Sequence, residues 1–526
     1  MKIKTINLLT VISLLIISTS CFAQGKLSIE NVRSIYIRNS GEIMDGEELK
    51  GYFTFYVSDK VDRKTNEYTL QILDNNLNKV KDIVFEDDKN VQVLESSYNG
   101  NSIMFLFFND KEKTLEYRAY GFDGKQKMTY TKELTKRSRN LIEDTYGTKS
   151  EDGQNEALFS IGDKGYVTVF PVKEGKYISY EVNFFFTDQR RQWSYEATEE
   201  QEDKWSIANY LGATDSIVLF EVVKQKHIMT GKPHSWLLGL NIFTGKKIFE
   251  MSTEAEDYKF FPMNTSKIAG SPDILLLGTY YEPDGRVMKD ASLGLAAWTL
   301  NSKGTITSKK YNSWQNEIGK YLSLDKKGRV SDVGYIYFHK ILQTSDGNFF
   351  AIGEGYKKVV SGLGVAANAL SLLSGGRSRA NISTFKIKIT DLVTLKFNNK
   401  FEVKGAQIYD KNNNSIEMPA GSGYMSPHTM ALMIKAMKGF DYDFTQTNKE
   451  HTRFSVGYSD YEKSKEFKGQ TFNSISYDEG KTTTDRIELK SKAKWLRVFP
   501  AKTGSVMIME YFKKEKRLDF RLEKLN

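Results

Sequence analysis

A period of two runs through most of this chain. Ser102 to Tyr120 reads SIMFLFFNDKEKTLEYRAY, an apolar run, a charged turn and an alternating strand. In the second half Leu115 and Tyr117 fall on one face, Glu116 and Arg118 on the other, as a half-buried strand requires. Ser505 to Glu523, SVMIMEYFKKEKRLDFRLE, aligns with it without a gap and shares seven of nineteen residues. Apolar strands of the same kind begin near Gly51, Gly165, Ser216, Asp273, Asn348 and Thr452. Most follow a turn signal such as Asn99-Gly100, Asp346-Gly347 or Thr503-Gly504. A hairpin turn such as Asp123-Gly124, Thr244-Gly245 or Glu479-Gly480 follows a second strand.

Strand, turn, strand, loop, strand, turn, strand is the pattern of propeller blades. The reading is an all-β β-propeller of eight repeat units, or seven if one unit is wrongly divided. The rival is a pair of β-sandwiches, but no proline- or glycine-rich linker divides the chain. The last unit stops after its third strand, and Lys26 to Val32 (KLSIENV) can supply the fourth. Residues 24–526 are therefore expected to form a single domain closed by its termini.

Two helices interrupt the pattern. Ser426 as N-cap, Pro427 at the first helical position and Gly439 past the end predict a helix over 427–438. Its stripe of Met430, Met433, Ile434 and Met437 suits packing on the ring, with a methionine-rich partner groove as the other reading. Val359 to Ala380, VVSGLGVAANALSLLSGGRSRA, is small and apolar where its surroundings are charged and aromatic. Val365, Ala369, Leu372 and Leu373 predict a short helix near 363–374, too short to span a bilayer. A plug over the channel mouth is the leading reading of this insertion; docking to a partner and membrane-surface contact are the others.

The N-terminus narrows location. Lys2 and Lys4 precede the apolar stretch Leu8 to Ile17, and Cys21-Phe22-Ala23 offers a cleavage site before Gln24. A signal peptide over 1–23 makes the protein periplasmic or secreted. Cys21, the single cysteine, keeps a lipid anchor open as the alternative. The mature chain then has no disulfide, and about 500 residues must rely on a large core. Removing residues 1–23 lowers the net charge from +9 to +7. That mild, well-mixed excess lacks the basic clusters and modules of nucleic-acid binders, and no transmembrane span is present.

Catalytic, cofactor and metal signals are weak. The five histidines, His227, His234, His339, His428 and His451, lack ligand spacing. Ser426 lies near His428, but a capping role explains it better than a nucleophile does. Asp87-Asp88 and Glu199-Glu200 read as solvated turn acids rather than a glycosidase pair. No catalytic residue, metal ligand or cofactor site is assigned. Ser476, Asp478, Gly480 and Thr482 in SYDEGKTT form an S-x-D-x-G-x-T turn that resembles the Asp-box of sialidase-like propellers. That resemblance implies a hairpin between the third and fourth strands of a blade and no catalytic role. The FAQ signal end, TSDGNFFAIGEGYKK and TDLVTLKFNNKFEV resemble an uncharacterised family of secreted β-rich proteins of Bacteroidota, and no function comes with that resemblance.

Topology points to one face. Loops between second and third strands emerge with the connections between blades, the side that usually binds ligands. The eight such loops, 354–383 among them, carry a summed charge of +9 against +7 for the mature chain. An unknown protein or an acidic glycan would suit that face. Arg377, Arg379, Lys357 and Lys358 are the candidate contacts. The first reading of function is an exported, non-enzymatic binding or interaction protein. A carbohydrate-active enzyme at the channel mouth is the second, and would require acids or histidines from several blades to converge there. A lipid-anchored envelope component is the third.

Overall fold

The computed structural model describes residues 25–525 except 36–38, 46–47, 147–155, 189–190, 198–203, 227–232, 255–256, 269, 288, 361–381, 413, 420–421, 423–424 and 503. Cys21 and the rest of 1–23, the expected helix near 363–374, Arg377, Arg379, His227 and Glu199-Glu200 lie outside the described residues. Among the described residues the strands form seven hydrogen-bonded sheets arranged as a β-propeller. Six are single antiparallel units. The seventh joins two such sets, 158–196 and 205–252, through one parallel pairing, Ile178 with Trp205.

Each unit is a meander whose first strand lies innermost. Neighbouring first strands touch around the axis, for example Ser40–Asp45 with Val91–Tyr98, and Tyr442–Thr447 with Trp495–Pro500. The second strands carry the apolar runs seen in sequence, and they are buried on both faces. Every residue of Ser102–Asn109 is buried. The core sits between sheets rather than within one. Phe53, Phe55 and Leu70 of one sheet pack on Phe105 and Phe107 of the next. Phe53 and Phe105 meet edge-to-face, with ring centroids 5.1 Å apart.

Lys26–Ile29 adds to the last sheet, pairing antiparallel with Arg517–Lys524 from Lys26 opposite Arg521 to Ile29 opposite Leu518. Beyond it, Val32 is fully buried, its N–H donates to the Lys516 carbonyl, and its own carbonyl accepts from Tyr511 Oη. The SYDEGKTT turn joins strands Lys468–Asp478 and Lys481–Glu488, the third and fourth of their sheet. Asp478 accepts there from Arg453 Nε at 2.9 Å, a structural contact.

One sheet departs from the plain meander. Its second and third strands, Phe349–Val360 and Ile382–Phe397, run on past the ring. Within the expected loop 354–383, the residues up to Val360 and from Ile382 on are strand. Two elements support the overhang. Asn414–Pro419 pairs along the outer half of Ile382–Phe397, and helix Pro427–Ala436 packs Met430, Ala431 and Ile434 against Tyr356, Ile387 and Ile389.

Ser426 caps this helix by accepting from the Thr429 N–H, as its spacing predicts. The helix ends two residues sooner than expected. Lys438, not Gly439, takes the left-handed turn at φ 48°. Gly439 is needed for room instead, since a Cβ there would sit 1.9 Å from Ile416 of the supporting strand. The methionine stripe is mostly packed, and Met437 alone of its members is exposed. Helix Lys136–Tyr146, anchored by buried Ile142, was not expected; its KRSRNLIEDTY sequence lacks a clear apolar stripe.

Candidate functional site

The overhang builds a pocket of about 460 Å³ on the face shared by the second-to-third-strand loops and the connections between sheets. Cations dominate its polar wall: Lys289, Lys327, Arg329, Lys357 and Lys358 against one acid, Asp290. Asp290 is already engaged, accepting from the Arg286 N–H at 2.7 Å and lying 3.6 Å from its guanidinium. Lys289, Lys327 and Arg329 are exposed and form no ion pair among the described residues. Lys357 donates to the Asp332 carbonyl, and Lys358 reaches the Met425 carbonyl at 3.5 Å. Burial holds Lys358 below the usual lysine range.

The remaining wall is apolar: Tyr335, Tyr356, Met425, Pro427 and Met430. Tyr335 opens the first strand of the sheet and packs its ring 6.0 Å from that of Tyr356. Gly334 allows this approach. It sits at φ 99°, and a Cβ there would lie 2.3 Å from the Tyr356 carbonyl. Tyr356 is buried and donates from its hydroxyl to the Pro427 carbonyl at 2.5 Å, tying the pocket floor to the helix start.

Beneath the pocket lies a buried ionic cluster. Glu354 and Lys411 are both fully buried and meet at 2.9 Å. Lys411 also pairs with Asp441, and Glu354 accepts from the backbone N–H groups of Asp441 and Tyr442 at 3.1–3.2 Å. His339 Nε2 stands 3.4 Å from Glu354, with its ring stacked on Tyr442 at 4.4 Å. Burial pushes Glu354 up, but His339 and Lys411 outweigh it and hold the carboxyl below its ordinary value. Burial pushes Asp441 up to about 6 despite Lys411. These contacts clamp the chain that leaves the helix onto the sheet.

A second convergence lies at the channel mouth. Glu95 sits on one innermost strand and Asp443 on another, while Glu156 precedes a third and Lys435 lies on the helix. Glu95 accepts from the Ala157 and Leu158 N–H groups at 2.6 and 2.9 Å. Burial, then the charge of Glu156, pushes it well above the carboxylate range. The same Glu156 charge helps raise Lys435 and Tyr442, after the Tyr337 interaction in the first and burial in the second. Asp443, on the inner strand Tyr442–Thr447, accepts from Ser459 Oγ at 2.9 Å, and loss of water around its carboxyl pushes it up to about 7 despite the charge of Arg497.

The structure brings Lys357 and Lys358 to the pocket. Sequence reasoning missed Lys289, Lys327, Arg329 and Tyr335. The run Lys326-Lys327-Gly328-Arg329 was legible as charge, but it lies in a connection between sheets rather than a second-to-third-strand loop. Glu95, Glu156 and Asp443 carried no signal, since each stands far from the others in the chain. Of the histidines, His234 meets Glu254 at 2.9 Å. His428 is held down to about 4 by burial beside Phe261 and Tyr281. Among the described residues no three His, Cys, Asp or Glu side chains gather as a metal site.

The whole chain, residues 1–526, matches the family described as Family of unknown function (DUF6770). The chain belongs to the DUF6770 family. No curated protein matches this DUF6770 member in sequence. Among solved structures, the WD40 domain of SCAP from fission yeast is similar at 8% identity and a TM-score of 0.36, covering 96% of each chain. Prolyl oligopeptidase B from Galerina marginata is similar at 10% identity and 0.38, covering 91% of this chain and 56% of that one. The β-propeller domain of the Trilobed protease from Pyrococcus furiosus matches at 11% and 0.30, covering 59% and 73%. Among the described residues no helix is long and apolar enough to cross a membrane.

Proposed function

We propose that this DUF6770 protein is an exported, non-enzymatic binding protein, an eight-bladed ring closed by its termini that holds an anionic ligand on its loop face. Lys289, Lys327 and Arg329 at the mouth of the pocket carry this reading: their field, which the single engaged acid Asp290 does not neutralise, attracts negative charge. Lys357 and Lys358 are contacts within that pocket, and the ligand is a partner protein or a glycan bearing acid groups. Export through a signal peptide over 1–23, as in secreted Bacteroidota proteins, places such a surface where extracellular polyanions occur.

Retention on a carboxylated or sulfated matrix tests the binding reading. Charge reversal at Lys289, Arg329 and Lys357 together should abolish retention at low salt. Retention unchanged by this triple variant counts against the pocket. Cell fractionation with mass spectrometry of the mature N-terminus tests export, separating a Gln24 start from a lipidated Cys21.

The channel mouth supports a second reading, a carbohydrate-active enzyme. Its observation is the charge of Glu156 acting on both Glu95 and Lys435, from separate parts of the chain, with burial raising the carboxyls of Glu95 and Asp443. Release of reducing ends from a polysaccharide by the wild type, lost in Asp443→Asn, would establish it.

A further inference from the structure

The pocket has two halves, and they ask for different chemistry. The exposed cations Lys289, Lys327 and Arg329 attract an anion. Tyr335, Tyr356, Met425, Pro427 and Met430 need something else, because an inorganic ion leaves that wall in contact with water alone. Tyr356 is already committed to Pro427, which leaves half-buried Tyr335 as the ring open to a ligand. At about 460 Å³ the space is within the range of small-molecule sites and far larger than one sulfate or phosphate needs.

Lys326 and Lys320 lie earlier in the connection that carries Lys327 and Arg329, and both are exposed. That connection also holds Glu317, Asp325 and Asp332, so its cations exceed its acids by one. A ligand with one acid group would use the pocket and leave these cations idle. A chain of repeating acidic units would use both.

We propose that the pocket takes one residue of an acidic oligosaccharide, its carboxylate among Arg329, Lys327 and Lys357 and its ring against Tyr335, with further acidic units running toward Lys326 and Lys320. This rests on the anion-binding reading and names its ligand class. The sugar ring offers the apolar C–H surface that Tyr335 can cover, and the repeat offers spaced single charges that separated lysines can meet one at a time. The side chains already stand in place, so binding involves little rearrangement of this wall.

Calorimetric titration of the full mature chain tests this with four probes: an oligogalacturonate, a neutral malto-oligosaccharide of equal length, an oligoglutamate and sodium sulfate. The oligogalacturonate should bind, and should weaken as salt is raised. The neutral sugar should bind at least about tenfold more weakly. Arg329→Ala with Lys357→Ala should weaken the acidic sugar by about tenfold or more, and Tyr335→Ala by several-fold, with Tyr335→Phe retaining it. Oligoglutamate or sulfate binding as tightly as the oligogalacturonate would overturn the acidic-sugar assignment and leave the anion site standing. Neutral sugar binding equally well would overturn the charge argument. Absence of binding by every anion would overturn both this inference and the reading beneath it.

Discussion

Two glutamates occupy similar places in two sheets and meet opposite fates. Glu221 lies on the second strand Ile217–Gln225 of a plain meander, and Glu354 on the second strand Phe349–Val360 of the sheet that carries the overhang. Both are buried. Among the described residues Glu221 has only neutral partners, Ser235 Oγ at 3.0 Å and Asn209 Nδ2 at 3.3 Å. Burial pushes it up to about 7. Glu354 has Lys411, His339 and two backbone N–H groups, and it stays below its ordinary value. A buried acid is a liability in the first sheet and a fastening in the second. Beyond its hairpin the second sheet gains Lys411, Asp441 and, between them, the helix whose Pro427 and Met430 line the pocket.

Breaking the fastening should have the largest effect. Lys411→Met strands Glu354 and Asp441 without their cation. It should lower stability by about 3–5 kcal/mol, read by urea unfolding. Anion binding should weaken too, because the chain leaving the helix at Asp441 loses its anchor. An equal loss of stability with unchanged binding would separate the cluster from the pocket. A core truncation in a plain hairpin gives the control. Phe107→Ala, in the buried Ser102–Asn109 strand, should cost about 3–5 kcal/mol with binding intact below the unfolding transition.

The pH dependence sharpens the contrast, because the two glutamates contribute with opposite sign. Glu221 is raised from 4.5 to about 7. Its contribution is fully present below pH 4.5 and is lost as pH rises through about 7. Glu221→Gln should therefore stabilise the protein above pH 7 by up to about 3 kcal/mol and flatten stability between these limits. Glu354 is lowered, so its contribution is present above 4.5 and is lost as pH falls through its folded value. Glu354→Gln should destabilise at neutral pH and remove part of the acid-side decline. Denaturant midpoints across pH for both variants read the two signs directly.

The smallest effect on stability belongs to the pocket mouth. Arg329→Ala should leave stability within about 0.5 kcal/mol of wild type, since the side chain is exposed and forms no ion pair among the described residues. Its effect should be confined to anion binding. A large stability loss would mean that the connection around it depends on this side chain.

Much of the ring was legible in residue order alone, and the reason is local. In a pleated strand burial alternates with residue number, and hairpin turns need particular residues. The Gly51, Ser102, Gly165 and Ser505 segments therefore declared themselves as second strands, and Ser426-Pro427 declared a helix start. The overhang was less legible. Tyr356 to Val360 read as loop, because the part of Ile382–Phe397 they pair with is held by Asn414–Pro419 and by the helix after it. Helix Lys136–Tyr146 was missed because its sequence is mostly polar, and among its described side chains Ile142 alone is fully buried.

The sequence by itself determined the repeat, the hairpin turns and two of the pocket lysines. The tertiary structure alone decided which charges meet. Lys411 reaches Glu354 across 57 residues of chain, and Arg329 comes to line the same pocket as Lys289 and Lys357. Alternation along a strand is a property of the pleat and is written residue by residue. Convergence depends on how each sheet is rotated about the axis and on how far a hairpin outgrows its neighbours, and no local pattern records either.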